Sequence, residues 1–150
     1  MTLWLLRHGE AEARSRSDAE RPLTERGRKE VRRSAEHLRG QPLAHILASP
    51  YLRAQQTAEL IRETLGIRLP LTTVHWATPE DSPRQAANHL EEFSGDCLLV
   101  SHNPLLGQLS GLLLHGHLQQ PLGLHTASLV RLDGETIPGL MHLAGLYHPS

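Results

Sequence analysis

The chain has 150 residues, with 15 Lys and Arg against 16 Asp and Glu and a formal net charge of −1. That length fits one domain of ordinary size with enough chain for a real core, so residues 1–150 are expected to form a single domain. Near-neutral charge argues against nucleic acid or an acidic membrane as the main partner, and no apolar stretch approaches the roughly eighteen residues of a membrane span.

Met1 to Leu6 has no basic start and too short an apolar run for a secretory leader. The single cysteine, Cys97, cannot form an internal disulfide. A reducing compartment is the default expectation, and the cytoplasm with it. Cys97 sits inside an apolar run and reads as a small buried hydrophobe.

The first apolar run, Leu3 to Leu6, stops at Arg7-His8-Gly9, as a buried strand does when it ends in a polar loop. A fixed cation beside an imidazole lowers the imidazole pKa and attracts anions, so this triplet reads as a phosphate site with a nucleophilic or basic histidine. The plain alternative is a strand end with two solvated polar residues. Glu10 to Arg21 is polar, with almost no apolar residues, and reads as a surface loop able to rim such a site. Thr24 is a plausible N-cap with Glu25 in the first turn. Gly27, Val31, Ala35 and Leu38 recur at helical spacing, and Gly40 and Pro42 end that helix. Its outer face carries Arg28, Lys29, Arg32, Arg33 and Glu36, which fits a solvated face better than an acidic partner's dock.

A second strand is predicted over His45 to Ala48, followed by Ser49 as a cap and Pro50 at the first helical position. Ala54, Thr57, Ala58, Ile61 and Leu65 mark the inner face of the next helix, which stops at Gly66. Arg53 in its first turn can reach back over the strand ends. Leu69 to His75 is a third strand, Trp76 to Pro83 a turn-rich loop, and Arg84 to Phe93 a helix. Cys97 to Val100 shows no alternation, as in a parallel strand covered on both faces. It ends in Ser101-His102-Asn103-Pro104, where a Leu-rich helix opens and runs to about His115. Ser128 to Leu132 and Leu140 to Leu143 read as strands joined by a turn at Asp133-Gly134. Strands alternating with helices predict an α/β fold with a central, mostly parallel sheet. Ligands of such sheets bind outside the strands' C-terminal ends, where Arg7, His8, Arg53 and His102 would converge.

Arg7-His8-Gly9, Ser49-Pro50 with Arg53 and Thr57, and Ser101-His102 together resemble the histidine phosphatase superfamily, the branch that includes phosphoglycerate mutases and acid phosphatases. Arg21-Pro22-Leu23-Thr24-x-x-Gly27 and the short length resemble its SixA-type phosphohistidine phosphatases. The resemblance implies helices on both faces of the sheet. It also implies that His8 attacks phosphorus and forms a phosphohistidine intermediate, that Arg7, Arg53 and His102 hold the phosphoryl group, and that Arg21 has a substrate-side role.

Phosphoryl transfer is mostly positioning and charge stabilisation, which two bidentate arginines and a second histidine can supply. His102, if protonated, adds a donor. No cofactor or metal is implied. The 11 histidines include His115, His117, His125, His142 and His148 in the C-terminal third, but no metal-ligand spacing joins them. The leaving-group acid has only Glu80 and Asp81 as candidates, two acids in a Pro-rich turn. An imidazole protonated on its distal nitrogen leaves without an acid, whereas an alkoxide does not. The expected activity is therefore hydrolysis of phosphohistidine on a protein such as a phosphotransfer domain. Alternatives are a broad phosphatase on small phosphoesters and a non-catalytic phosphate-binding module. A mutase lacks room for a closing cap, and a metallophosphatase lacks its ligand pattern.

Overall fold

A computed structural model describes residues 1–149. Its strands are β1 (Thr2–Arg7), β2 (Leu43–Ala48), β3 (Leu71–Thr73), β4 (Asp96–Ser101), β5 (Leu129–Gly134) and β6 (Met141–Tyr147). Its α-helices are α1 (Glu25–Ala35), α2 (Leu52–Leu65), α3 (Pro83–Leu90) and α4 (Leu105–His115). The sheet order is β3-β2-β4-β1-β5-β6. β1, β2, β3 and β4 run parallel, while β5 and β6 are antiparallel additions at one side.

The uninterrupted apolar runs of β1 and β4 are explained by burial on both faces. Leu3 and Leu5 of β1, with Cys97 and Leu99 of β4, pack against α3 and α4. Trp4, Leu6, Leu98 and Val100 point the other way, into a second core built with α1 and α2. Fully burying each such leucine contributes about 1.5–3 kcal/mol. Cys97 has no exposed surface, and burial pushes its thiol up to about 11, so it behaves as a small core residue.

Register fixes the site. Arg7 pairs with Ser101 across β1 and β4, and Ala48 pairs with Val100 across β2 and β4. His8, Ser49 and His102 therefore leave the sheet side by side at its C-terminal edge. α1 is capped by Thr24, whose Oγ1 accepts from Gly27 N at 2.9 Å. A Cβ on Gly27 would collide with the Glu10 carbonyl, and one on Gly9 would lie 2.7 Å from the Gly27 carbonyl oxygen. The two glycines let α1 sit directly on the backbone that follows His8.

Several boundaries differ from the sequence expectation. Ser49 does not cap α2 and Pro50 does not open it. The helix begins at Leu52 with Tyr51 at the N-cap, because the Ser49 hydroxyl is engaged by His102. The Ser-Pro pattern does work at α3, where Ser82 Oγ accepts from Gln85 N and Pro83 opens the helix. α3 stops at Leu90, short of Phe93, and β3 is only Leu71–Thr73. Asp133-Gly134 is not a turn. Asp133 pairs with Thr2 of β1 and accepts from its Oγ1 at 2.8 Å, so β5 continues through it and Glu135 to Leu140 make the connection to β6.

Candidate active site

His8 is held from both sides by backbone. Its N–H donates to the Ser101 carbonyl at 3.1 Å, and its carbonyl accepts from Ala127 N at 3.0 Å. The side chain is buried, and Nδ1 lies 2.7 Å from the Gly9 carbonyl oxygen. A carbonyl only accepts, so Nδ1 carries the proton and Nε2 presents a lone pair. Arg53 Nε lies 3.4 Å from that Nε2. Thr57, one turn further along α2, accepts from Gly9 N at 3.1 Å and donates to the Arg53 carbonyl at 2.7 Å. It thereby ties the helix carrying Arg53 to the loop carrying His8.

Arg53 is 4% exposed although it is an arginine in a first helical turn. Its Nη1 donates to the Asp18 carbonyl oxygen at 2.6 Å and its Nη2 to Asp18 Oδ2 at 3.2 Å. Asp18 Oδ1 also accepts from Arg21 Nη1 at 2.8 Å, and Arg21 Nε donates to the Glu12 carbonyl oxygen at 2.6 Å. Arg7 Nη1 donates to the Leu124 carbonyl oxygen at 2.9 Å, and its buried Nε has no partner. The His102 ring centroid lies 5.1 Å from that of His8. The Tyr51 ring lies 5.0 Å from that of His102 and 5.0 Å from the Arg53 guanidinium carbon.

The electrostatics favour a neutral His8 ring. Burial, then the charges of Arg53, Arg7 and Arg21, pull His8 down from 6.5 to about 4, against the opposing pull of the Gly9 carbonyl. Desolvation, more than the adjacent cation, is the cause. His102 falls to about 3, through burial first and then His8 and Arg53. Its ring is therefore neutral near pH 7, and the condition under which it would add a cationic donor is not met. Hydrogen bonds from Arg21 and Arg53 hold the Asp18 carboxyl below its usual range.

Arg7, His8, Arg53 and His102 are thus brought together, and Arg21 joins them through Asp18. Asp81 is used locally: its Oδ2 accepts from Thr78 N at 2.8 Å and from Thr78 Oγ1 at 2.6 Å. Glu80 is exposed. Two further residues, Asp18 and Ser49, belong to the site. Asp18 lay in a loop rich in charge, although its i,i+3 spacing to Arg21 was a signal. Ser49, a helix-cap candidate by sequence, instead places its Oγ 2.7 Å from His102 Nε2. Elsewhere, histidines pair without forming a metal centre. The His115 and His117 rings stack at 5.9 Å, and the His125 and His148 rings meet edge to face at 4.7 Å. Among the described residues, no group of three or more His, Cys, Asp or Glu is placed to hold a metal ion. No helix among them is long and apolar enough to cross a membrane.

Comparison with known proteins agrees with this geometry. The profile of the histidine phosphatase superfamily (branch 1) matches residues 3–75. The phosphohistidine phosphatase SixA homolog of Haemophilus influenzae is 31% identical, over 96% of this chain and 96% of its own. SixA of Escherichia coli is also 31% identical, over 89% of this chain and 86% of its own. The structure of a protein histidine phosphatase SixA complexed with tungstate superposes with a TM-score of 0.90 at 28% identity, covering 99% of this chain and 97% of that one. With these motifs at the sheet edge and these relatives over nearly its whole length, the chain belongs to the histidine phosphatase superfamily.

Proposed function

We propose that this chain is a protein phosphohistidine phosphatase, with residues 1–150 acting as one catalytic domain in the cytoplasm. The observation that carries the proposal is the geometry of His8: buried, with its Nδ1 against the Gly9 carbonyl and its Nε2 beside Arg53. A lone pair held at a fixed angle next to a cation suits in-line attack on phosphorus. His8 Nε2 forms a P–N bond as the substrate's P–N bond breaks, and the electron pair of the broken bond returns to the leaving imidazole. That imidazole, already protonated on its distal nitrogen, departs neutral. Water then attacks phosphorus, and His8 is released with inorganic phosphate as product. Arg7, Arg53 and His102 hold the equatorial oxygens, each charge-assisted bond contributing about 1.5–3 kcal/mol. Arg21 sits on the substrate side, linked to Arg53 through Asp18.

The favoured substrate is a phosphorylated protein, a phosphohistidine phosphotransfer domain or similar. The similarity to SixA proteins and the local use of the Asp81 carboxylate by Thr78 both support an imidazole leaving group. The test is a direct comparison of a phosphohistidine phosphotransfer domain with a set of sugar phosphates. Rapid release of phosphate from the protein and slow release from the sugars is expected. The reverse preference would make the chain a general phosphoester phosphatase, and binding of both without turnover would make it a phosphate-binding module.

A further inference from the structure

We propose that Ser49 is a positioning residue that fixes His102 as the neutral tautomer with its proton on Nδ1, making that N–H the donor to a phosphoryl oxygen. The identity of the acceptor rests on the phosphatase reading above; the tautomer rests on the hydrogen-bond geometry of a ring buried from solvent.

Ser49 has no exposed surface and His102 is 1% exposed, so neither has solvent to fall back on. Two groups lie within hydrogen-bond distance of Ser49 Oγ: Tyr51 N at 3.2 Å and His102 Nε2 at 2.7 Å. A backbone N–H only donates, so the hydroxyl oxygen accepts from Tyr51. The hydroxyl proton then has one available acceptor, His102 Nε2. If Nε2 receives that proton's hydrogen bond, it is the unprotonated nitrogen, and a neutral ring must carry its proton on Nδ1. The opposite tautomer would leave the Ser49 hydroxyl proton without an acceptor in a dry site, and would also leave a bare lone pair on Nδ1. Burial keeps the ring in its neutral form, so the two tautomers are the only choice near pH 7.

His102 Nδ1 is buried and has no partner. Among the described residues the other buried side-chain polar atoms in that condition are Arg7 Nε and Trp4 Nε1. Trp4 belongs to the core beneath the sheet, but Arg7 and His102 flank His8. Two unmet donors beside one nucleophile are what an incoming anion satisfies. A neutral N–H suits this role. It stabilises phosphoryl oxygens without placing a second positive ring next to His8, where it would oppose any positive charge on the attacking imidazole. The arrangement also explains why the Ser49-Pro50 pair fails as a helix cap: its hydroxyl is committed to the strand end opposite.

The test reads the imidazole nitrogens directly. In protein labelled with nitrogen-15, two-bond proton–nitrogen correlation should show His102 with a protonated Nδ1 and an unprotonated Nε2, assigned against His102→Asn. Titration with inorganic phosphate should shift the Nδ1–H signal. Ser49→Ala should lose the tautomer preference and lower kcat roughly tenfold or more, with KM changed less, as for loss of a preorganised donor. Ser49→Thr, which keeps the hydroxyl, should retain the wild-type nitrogen pattern. A wild-type ring protonated on Nε2 would overturn the proposal, and so would a changed tautomer in Ser49→Ala with unchanged kcat. Should Ser49→Ala fail to fold, the wild-type spectrum with and without phosphate still decides. The nitrogen readout needs no turnover, so an inactive wild-type protein would count against the phosphatase reading and leave the tautomer assignment to stand or fall separately.

Discussion

Arg53 Nε and His8 Nε2 stand 3.4 Å apart, one contributed by the first turn of α2 and the other by the loop after β1. Neither group would hold this position alone. His8 is oriented by Gly9 and the Ser101 carbonyl, and Arg53 is anchored by Thr57 and Asp18. Two neighbouring parallel strands and one helix start converge on a single atom pair.

The first prediction concerns that pair. Rapid quench of the protein with a phosphohistidine substrate should trap an acid-labile, alkali-stable phosphoryl group on His8. His8→Ala should lose the adduct and lower kcat by on the order of 10⁴–10⁶-fold, the scale seen when a catalytic nucleophile is removed. Arg53→Ala should retain a measurable adduct formed roughly a hundredfold more slowly, since it removes charge stabilisation and not the bond-forming atom. Near-normal turnover in His8→Ala would assign the chemistry elsewhere.

Asp18 leads to a second prediction. All three nitrogens of the Arg53 fork are occupied in the free protein, one by His8 and two by Asp18. An incoming phosphoryl group that takes Arg53 Nη2 competes with the Asp18 carboxylate, whose side chain is 58% exposed and also paired with Arg21. Asp18→Asn removes a competing negative charge while keeping the shape. Inhibition by inorganic phosphate should strengthen severalfold, and the gain should shrink at high salt because it is electrostatic. Unchanged phosphate inhibition would mean that Asp18 only anchors the loop.

The third prediction is a pH dependence. The folded-state pKa values of His8 and His102 lie below the ordinary 6.5, at about 4 and about 3. Below 6.5 the unfolded chain binds protons that the folded chain refuses. The stability associated with these neutral rings is therefore fully present above 6.5 and is lost as pH falls toward 4 and then 3. The loss should reach a few kcal/mol, read as a falling urea midpoint. His8→Asn combined with His102→Asn should flatten that slope. On the activity side, the acid limb of kcat/KM assigned to the free protein should lie well below 6.5. An acid limb at 6.5 would show that His8 titrates as a solvated imidazole.

Much of this site was legible because its parts obey separate local rules. Leu3 to Leu6 ending in Arg7-His8-Gly9 marks a buried strand and its ligand-facing end, and Cys97 to Val100 ending in Ser101-His102 repeats the signal. Parallel pairing then places both ends at one edge, as β1 and β4 do. What could not be read depends on which of two chemically sensible partners a side chain takes. Ser49 can cap a helix or bind a histidine, and only the three-dimensional position of His102 decides. Asp18 among the charges of residues 10–21 is distinguished only once Arg53 has folded over to meet it. Asp133-Gly134 has turn chemistry, but Thr2 offers Asp133 a strand partner and a hydroxyl, and pairing wins.

Chelation supplies a fourth prediction. On the proposed mechanism Arg7 and Arg53 provide the positive charge that a transferring phosphoryl group needs, with His102 as a further donor. Activity should survive exhaustive treatment with a chelator and should not rise on adding divalent ions. Loss of activity restored by one particular ion would reopen a role for His115, His117, His125, His142 and His148.

The last prediction separates the two enzyme readings. Asp81 Oδ2 accepts two hydrogen bonds from Thr78, closing the turn that leads into α3. Asp81→Asn should cost about 1 kcal/mol of stability through the weakened turn, the scale of a single hydrogen bond. It should change phosphohistidine hydrolysis by less than about tenfold, and Glu80→Gln should change it by no more. General acid catalysis is worth roughly 10²–10⁴-fold, so its presence could not hide within that margin. An imidazole protonated on its distal nitrogen leaves as a neutral group and needs no acid, whereas an alkoxide does. The same two substitutions should therefore bear more heavily on an alkyl phosphate, where that substrate turns over at all. Arg53→Ala should damage both reactions, because on the proposed mechanism it grips the phosphoryl group that the two substrates share. With each variant confirmed as folded and assayed at one pH near neutrality, a hundredfold loss on phosphohistidine from Asp81→Asn would establish a dedicated acid. It would also favour the phosphoester phosphatase over the phosphohistidine one.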